Sequence, residues 1–290
     1  MRGCCSFIGV NMYKTKLCMA TSKAFGVDIE AQIRMLRAAG FEGFFTSYDD
    51  DIKKCRELAD ELGMEYQSVH APFKNVAKIW EGGEEANRAV EELIECVRSC
   101  AEGGVPIMVS HVYIGFTPSK GPTKEGIEGF RCIVEEAKRL GVKVAFENTE
   151  GEEYLFAVMD AFKDYDNVGF CWDTGHQMCY NVNTDMIELY GDRLICTHLN
   201  DNLGVKDFSG NITYHDDLHL LPFDGIGDWK DITSKLNKCG YEGILTFELK
   251  KQNSKNRFDN EKYNAMSLEQ YIAECYACAC RVGALKIKNR

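Results

Sequence analysis

Several things are missing from this sequence, and each absence removes a class of protein. No apolar run approaches the roughly 20 residues that a membrane-spanning helix needs. The first residues contain no long apolar segment followed by a small-residue cleavage site, so the expectation is no signal peptide and a cytoplasmic protein. An excess of positive charge is lacking: the net charge of -11 argues against a general nucleic-acid-binding surface, because neutralising phosphates takes clustered lysine and arginine, while leaving room for a local basic patch. No glycine-rich phosphate turn follows the first apolar segment, which disfavours a doubly wound open sheet. No proline- or serine-rich linker divides the chain, so residues 1–290 are expected to form a single domain. Fourteen cysteines are present, but without the spacing of a disulfide framework. Several, such as Cys171 and Cys196, sit inside apolar runs and read as reduced, buried thiols. Cys275, Cys278 and Cys280 have metal-like spacing but fall in a helical pattern without a second cysteine pair.

What is present is alternation. Short apolar runs at residues 4–10, 41–46, 64–69, 105–110, 142–146, 168–172, 193–197 and 243–247 predict strands. Between and after them, amphipathic patterns predict helices over 28–39, 51–62, 84–100, 123–140, 152–162, 184–190, 228–239 and 260–282. Asp28 is a candidate N-cap, and glycines at 40, 63, 141 and 240 fall just past helix ends. Strands alternating with helices in a chain of this length predict an α/β protein, a single (β/α)8 TIM barrel with a parallel sheet. One long loop, from residue 200 to about 227, breaks the rhythm, and loops of that length are usually functional.

The residues that end the strands carry the functional signal. His70, His111, Glu147, Asp173, His198 and Glu248 each close or directly follow a predicted strand. His176 lies just beyond strand six, and Asp217 and His219 lie in the long loop. In such a barrel the carboxyl ends of the strands share one face. Five of the six histidines therefore gather there with four acids. Mixed carboxylate and imidazole ligands suit a divalent cation such as Mn, Zn, Co, Fe or Mg rather than Ca. Glu147, Asp173, His198 and Glu248 come from consecutive strands and are expected to surround one cation. His70, His111, His176, Asp217 and His219 are expected as ligands for further cations, up to three in all, or as substrate contacts. Trp80, Phe116 and Trp172 are candidates for stacking on a sugar ring, with Trp172 read more readily as core.

The segments Val69-His70-Ala71-Pro72-Phe73, Phe146-Glu147-Asn148-Thr149, Trp172-Asp173-Thr174-Gly175-His176, Thr197-His198-Leu199-Asn200-Asp201-Asn202 and Asp217-Leu218-His219 through Gly225 resemble the xylose-isomerase-like, or endonuclease-IV-like, TIM barrels. In the sugar isomerase and epimerase branch, the resemblance implies that Glu147, Asp173, His198 and Glu248 hold one metal. It also implies that Glu147 and Glu248 act as catalytic acid and base. In the endonuclease IV branch it implies that all nine residues hold three zinc ions that cleave DNA at abasic sites. The sequence departs from the nuclease pattern after Asp201, where the small residue and lysine are missing, and at Leu218, where the nuclease has arginine. These departures and the acidic charge favour the sugar branch: a metal-dependent isomerase or epimerase acting through an enediolate, with a small-molecule sugar as partner. The alternatives are the zinc phosphoesterase, another metal-dependent lyase, or a sugar-binding protein of the same fold. The sequence leaves open which sugar is used and the oligomeric state, a homo-oligomer included.

Overall fold

The computed structural model describes residues 15–116, 120–205, 212–254 and 257–288. The chain begins β1 (Leu17–Ala20), α1 (Ile29–Ala39), β2 (Gly43–Ser47), α2 (Ile52–Leu62), β3 (Glu65–His70), α3 (Gly83–Glu102), β4 (Ile107–Ser110) and α4 (Lys124–Leu140). It continues β5 (Lys143–Glu147), α5 (Glu152–Ala161), β6 (Val168–Asp173), α6 (Thr174–Cys179), α7 (Met186–Tyr190) and β7 (Leu194–His198). It ends with α8 (Trp229–Lys238), β8 (Leu245–Phe247), α9 (Glu261–Asn264) and α10 (Leu268–Lys288). The eight strands form one parallel sheet in the order β7-β6-β5-β4-β3-β2-β1-β8. The sheet comes round on itself where Leu199, just past β7, bridges Phe247 of β8 and donates its amide to Thr246 O at 2.8 Å. The expected (β/α)8 barrel is therefore present.

Helix boundaries follow local chemistry. Asp28, Asp51 and Thr123 each accept the amide three residues on, at 3.0 Å, and caps of this kind stabilise by about 1 kcal/mol each. Two expectations need correction. The strand foreseen at 4–10 lies outside the described residues, and the barrel's first strand is Leu17–Ala20, paired in register with both β2 and β8. A run of four residues next to Lys16 carries too little periodicity to stand out. Helix α6 is absent from the helices expected above. It forms because Asp173 is both the last residue of β6 and the N-cap, its carboxylate accepting His176 N at 2.7 Å.

The strands' period of two divides the core. Phe146, Phe170, Trp172 and Phe247 face the helices in the outer layer. Full burial of each of the phenylalanines contributes about 2 kcal/mol of transfer free energy. Their alternate neighbours Ala145, Cys171 and Cys196, with Val109, form a small separate cluster, the barrel interior. That alternation aims the next inward positions, Glu147, Asp173 and His198, at one point on the carboxyl face. The described cysteines are all free, and Cys275 is buried in α10 while Cys280 is exposed on it. Among the described residues no helix is long and apolar enough to cross a membrane.

Candidate metal centre

The nine residues singled out in the sequence come together as three contiguous groups, each with ligand atoms within 4.8 Å of one another: His70, His111 and Glu147; Glu147, Asp173, His198 and Glu248; His176, Asp217 and His219. Glu147 belongs to the first two. Its Oε1 lies 2.8 Å from His198 Nδ1, and its Oε2 lies 3.2 Å from His111 Nε2 and 3.5 Å from His70 Nε2. Glu248 Oε2 is 3.0 Å from the same His198 Nδ1. Asp217 contacts His219 Nε2 and lies 3.6 Å from His176 Nε2.

A frame of amides and backbone groups holds these side chains. Asn148 receives the Asp173 amide at 2.8 Å and donates back to Asp173 O at 2.9 Å. Asn200 donates to Asp173 Oδ2 at 2.9 Å. A Cβ on Gly175 would sit 1.9 Å from Asn200 Oδ1, so only glycine lets β7's continuation approach α6 this closely. The long loop is fastened by Asp201, fully buried, whose carboxylate accepts four donors: the amides of Asn202, Gly227 and Phe223 at 2.9 Å each and the Trp229 indole at 2.8 Å. Spacing along the chain does not mark Asp201 for this role. Its role is visible only once the loop is folded.

The hydrogen bonding of the histidines fits cation ligands. His70, His176 and His219 have Nδ1 beside the main-chain oxygens of Ala71, Asn148 and Glu248, at 2.9, 2.9 and 3.2 Å. Donation there leaves each Nε2 lone pair facing a carboxylate or another ring, the arrangement that orients metal-binding imidazoles. His70 Nε2 and His111 Nε2 face each other at 3.3 Å. Glu147 Oε2 and Asp217 Oδ1 are buried without a hydrogen-bond partner. Buried carboxylate oxygens in that condition are costly, and a cation beside them removes the cost.

The carboxylates and imidazoles of the cluster shift one another's protonation. Burial disfavours charge on Glu147, but His198, His111 and His70 outweigh it and hold its carboxyl well below the usual range. Asp217 is likewise held down by His219, Lys250 and His176 against the effect of burial. Asp173 goes the other way: burial, with the nearby charge of Glu147, pushes it up to about 6 although His176 opposes this. His176 and His198 overcome burial through their carboxylate neighbours and are raised well above the ordinary imidazole value.

A cavity of about 560 Å³ opens over the cluster. Phe73, Phe116, Tyr180 and Tyr214 supply aromatic surface, and Lys74, Glu150 and Lys250 supply charge. Glu150, Lys74 and Lys250 were not foreseen, since no strand end or motif marks them. Glu248 lines the cavity, whereas Glu147 is completely buried behind two of its lining residues, His70 and His111. Phe116 is on the wall as expected. Trp80 is not available for stacking: it is buried against Phe130 and Tyr154, with its indole donating to Val112 O at 2.7 Å. Trp172 is core, facing the outer layer. A larger open groove of about 700 Å³, around Trp229 and Leu285, contains none of the nine residues.

Comparison with known proteins identifies the fold family. Residues 31–271 match a family model described as a xylose isomerase-like TIM barrel. The uncharacterized protein y4fM of Sinorhizobium fredii is 28% identical over 260 residues, covering 76% of this chain and 80% of y4fM. The structure of the IOLI protein with a bound zinc atom aligns with a TM-score of 0.70 at 17% identity, covering 95% of this chain and 99% of that one. D-psicose 3-epimerase from Clostridium cellulolyticum, determined with D-tagatose, aligns with a TM-score of 0.69 at 16% identity, covering 92% and 99%. A fusion of a xylose isomerase-like TIM barrel with 4-hydroxyphenylpyruvate dioxygenase aligns at 0.66 and 15% identity, over 86% of this chain, which spans 41% of the fusion's length. At these identities the structural matches establish the fold.

Proposed function

The chain belongs to the xylose isomerase-like TIM barrels, and from that premise we propose that it is a divalent-metal-dependent sugar isomerase or epimerase. The observation that carries the reading is that Glu147 and Glu248 approach one ring nitrogen of His198, at 2.8 and 3.0 Å, beneath a cavity with aromatic walls. The fold neighbours support it, being sugar epimerases by name and, for IOLI, a zinc-binding protein.

Removing a proton beside a carbonyl is too difficult for an unassisted carboxylate. Glu147, Asp173, His198 and Glu248 would hold a divalent cation, which would supply electrophilic assistance to that deprotonation. The protein's own groups do the rest. Glu248 reaches the cavity and takes the proton. Glu147, buried behind His70 and His111, is the second member of the acid–base pair. Proton transfer of this kind contributes about 10²–10⁴-fold. Asp173 and His198 act only as ligands. His176 and Glu150 hydrogen-bond substrate hydroxyls, and Phe116 and Tyr180 pack against the carbon skeleton.

A second reading has its own support. All nine residues of the three-zinc pattern are present and grouped, which favours a phosphoesterase acting on abasic DNA. Two assays on the zinc- or manganese-loaded protein separate the readings. A sugar enzyme exchanges a carbon-bound ketose proton with deuterated solvent and leaves an abasic duplex intact. Nicking of the duplex without ketose exchange would overturn the first reading in favour of the second, and inactivity in both assays would overturn both.

A further inference from the structure

His198 is turned the opposite way from its neighbours. His70, His176 and His219 anchor Nδ1 on main-chain oxygens and direct Nε2 into the cluster. His198 directs Nδ1 at Glu147 and Glu248. Its Nε2 is buried with no oxygen or nitrogen partner. Phe45 lies flat against the ring, 4.6 Å between centroids and 9° between planes. That contact fixes the ring plane but cannot distinguish the two ends of the ring, because a half-turn about the Cβ–Cγ bond leaves the plane unchanged.

Sulfur lies beside this ring. Cys171 Sγ, Cys196 Sγ and a His198 ring nitrogen are all within 4.8 Å of one another. Cys196 precedes His198 by two residues on β7 and so shares its inward face, and Cys171 is its register partner on β6. The two sulfurs are not equivalent. Gln67, on β3, donates Nε2 to Cys196 Sγ at 3.0 Å, and its own Oε1 accepts the Ser68 hydroxyl at 2.6 Å. Cys196 is therefore held in place from across the barrel. A ligand imidazole normally anchors its second N–H on a carboxylate, carbonyl or water. Sulfur is a weaker acceptor, but a fully buried donor gains from it.

We propose that Cys196 is a positioning residue for His198: its sulfur accepts Nε2–H and so keeps Nδ1 aimed at the Glu147–Glu248 pair. This rests on the reading that the group binds a divalent cation, and not on which substrate is turned over.

The test uses the full chain reconstituted with zinc alone. The relevant zinc equivalent is the one that His198→Ala loses, and its affinity is read by chelator competition. Cys196→Ala is expected to weaken it about 10–100-fold, the usual scale for loss of an outer partner. Cys196→Ser should restore most of the affinity, and Cys171→Ala should change it less than about threefold. Equal losses in Cys196→Ala and Cys171→Ala, or no loss in either, would overturn the proposal. A measurement on the unmodified protein guards against misfolded variants: with ¹⁵N-labelled histidine, zinc-loaded protein should show a His198 Nε2–H signal protected from solvent exchange. A His198 bearing its proton on Nδ1 would equally overturn it. If zinc affinity behaves as expected while ketose exchange is absent, the positioning role stands and the sugar reading falls.

Discussion

The carboxylate of Asp201 accepts the backbone amide of Phe223 at 2.9 Å, and Phe223 is held at φ 77°, a conformation that bulky side chains rarely adopt. His219, at φ 46°, is the other described non-glycine residue with positive φ. Strained positions of this kind cost about 1–3 kcal/mol each and persist only where surrounding structure over-determines them. Here the over-determination comes from one buried carboxylate with four donors, and it fixes the loop that carries Asp217 and His219.

Asp201→Ala should therefore be a severe change for a residue that touches no ligand. Hydrogen bonds to a charged group contribute about 1.5–3 kcal/mol each, so a loss of roughly 3 kcal/mol or more is expected in urea unfolding. Zinc bound beyond the one equivalent held by Glu147, Asp173, His198 and Glu248 should be the first lost. Unchanged stability and zinc content would remove Asp201 from this role.

Glu248 and His198 should fail differently. Glu248→Gln keeps the size and one ligand oxygen but removes the base. It should retain metal, more weakly, and bind sugar while proton exchange with solvent is abolished. His198→Ala should lose metal affinity first, with activity partly recovered by added metal. Near-normal exchange in metal-loaded Glu248→Gln would leave Glu248 as a ligand only.

Stability should depend on pH differently with and without metal. In chelator-stripped protein, His176 and His198 are raised above their ordinary value. Their contribution is complete below about pH 6.5 and is lost as pH rises through the raised values. Glu147, Asp217 and Glu248 are lowered, so their contribution is present above about pH 4 and is lost as pH falls through the lowered values. Asp173, raised to about 6, opposes them modestly, its contribution falling as pH rises from its ordinary value towards 6. Zinc needs deprotonated ligands. Loaded protein should therefore keep its Tm above pH 7, where stripped protein declines, and lose the advantage in acid. Parallel Tm profiles above pH 7 would contradict this.

Two aromatic substitutions should separate wall from core. Phe116→Ala should raise KM for the sugar with little effect on Tm, since the ring lines the cavity and is 40% exposed. Trp80→Ala should cost about 3–5 kcal/mol of stability because the ring packs fully into the interior. A Tm loss in Phe116→Ala equal to that of Trp80→Ala would contradict the assignment.

The sequence alone determined the barrel and the convergence of its ligand-type residues. Both follow from local rules. A two-residue strand period places Ala145 and Glu147, Cys171 and Asp173, and Cys196 and His198 on one face, and parallel connection brings every strand's carboxyl end to the same side. Tertiary structure decided the rest. Leu17–Ala20 becomes a strand because β2 and β8 supply partners on both sides. Trp80 is core because Gly126 of α4 leaves room for it, a Cβ there falling 2.1 Å from the ring. Glu150 and Lys250 reach the cavity, Asp201 gathers the long loop, and His198 presents Nδ1 rather than Nε2. Each of these depends on contacts between residues far apart in the chain, and side-chain direction at such positions is set by the neighbours that folding brings in, not by spacing along the chain.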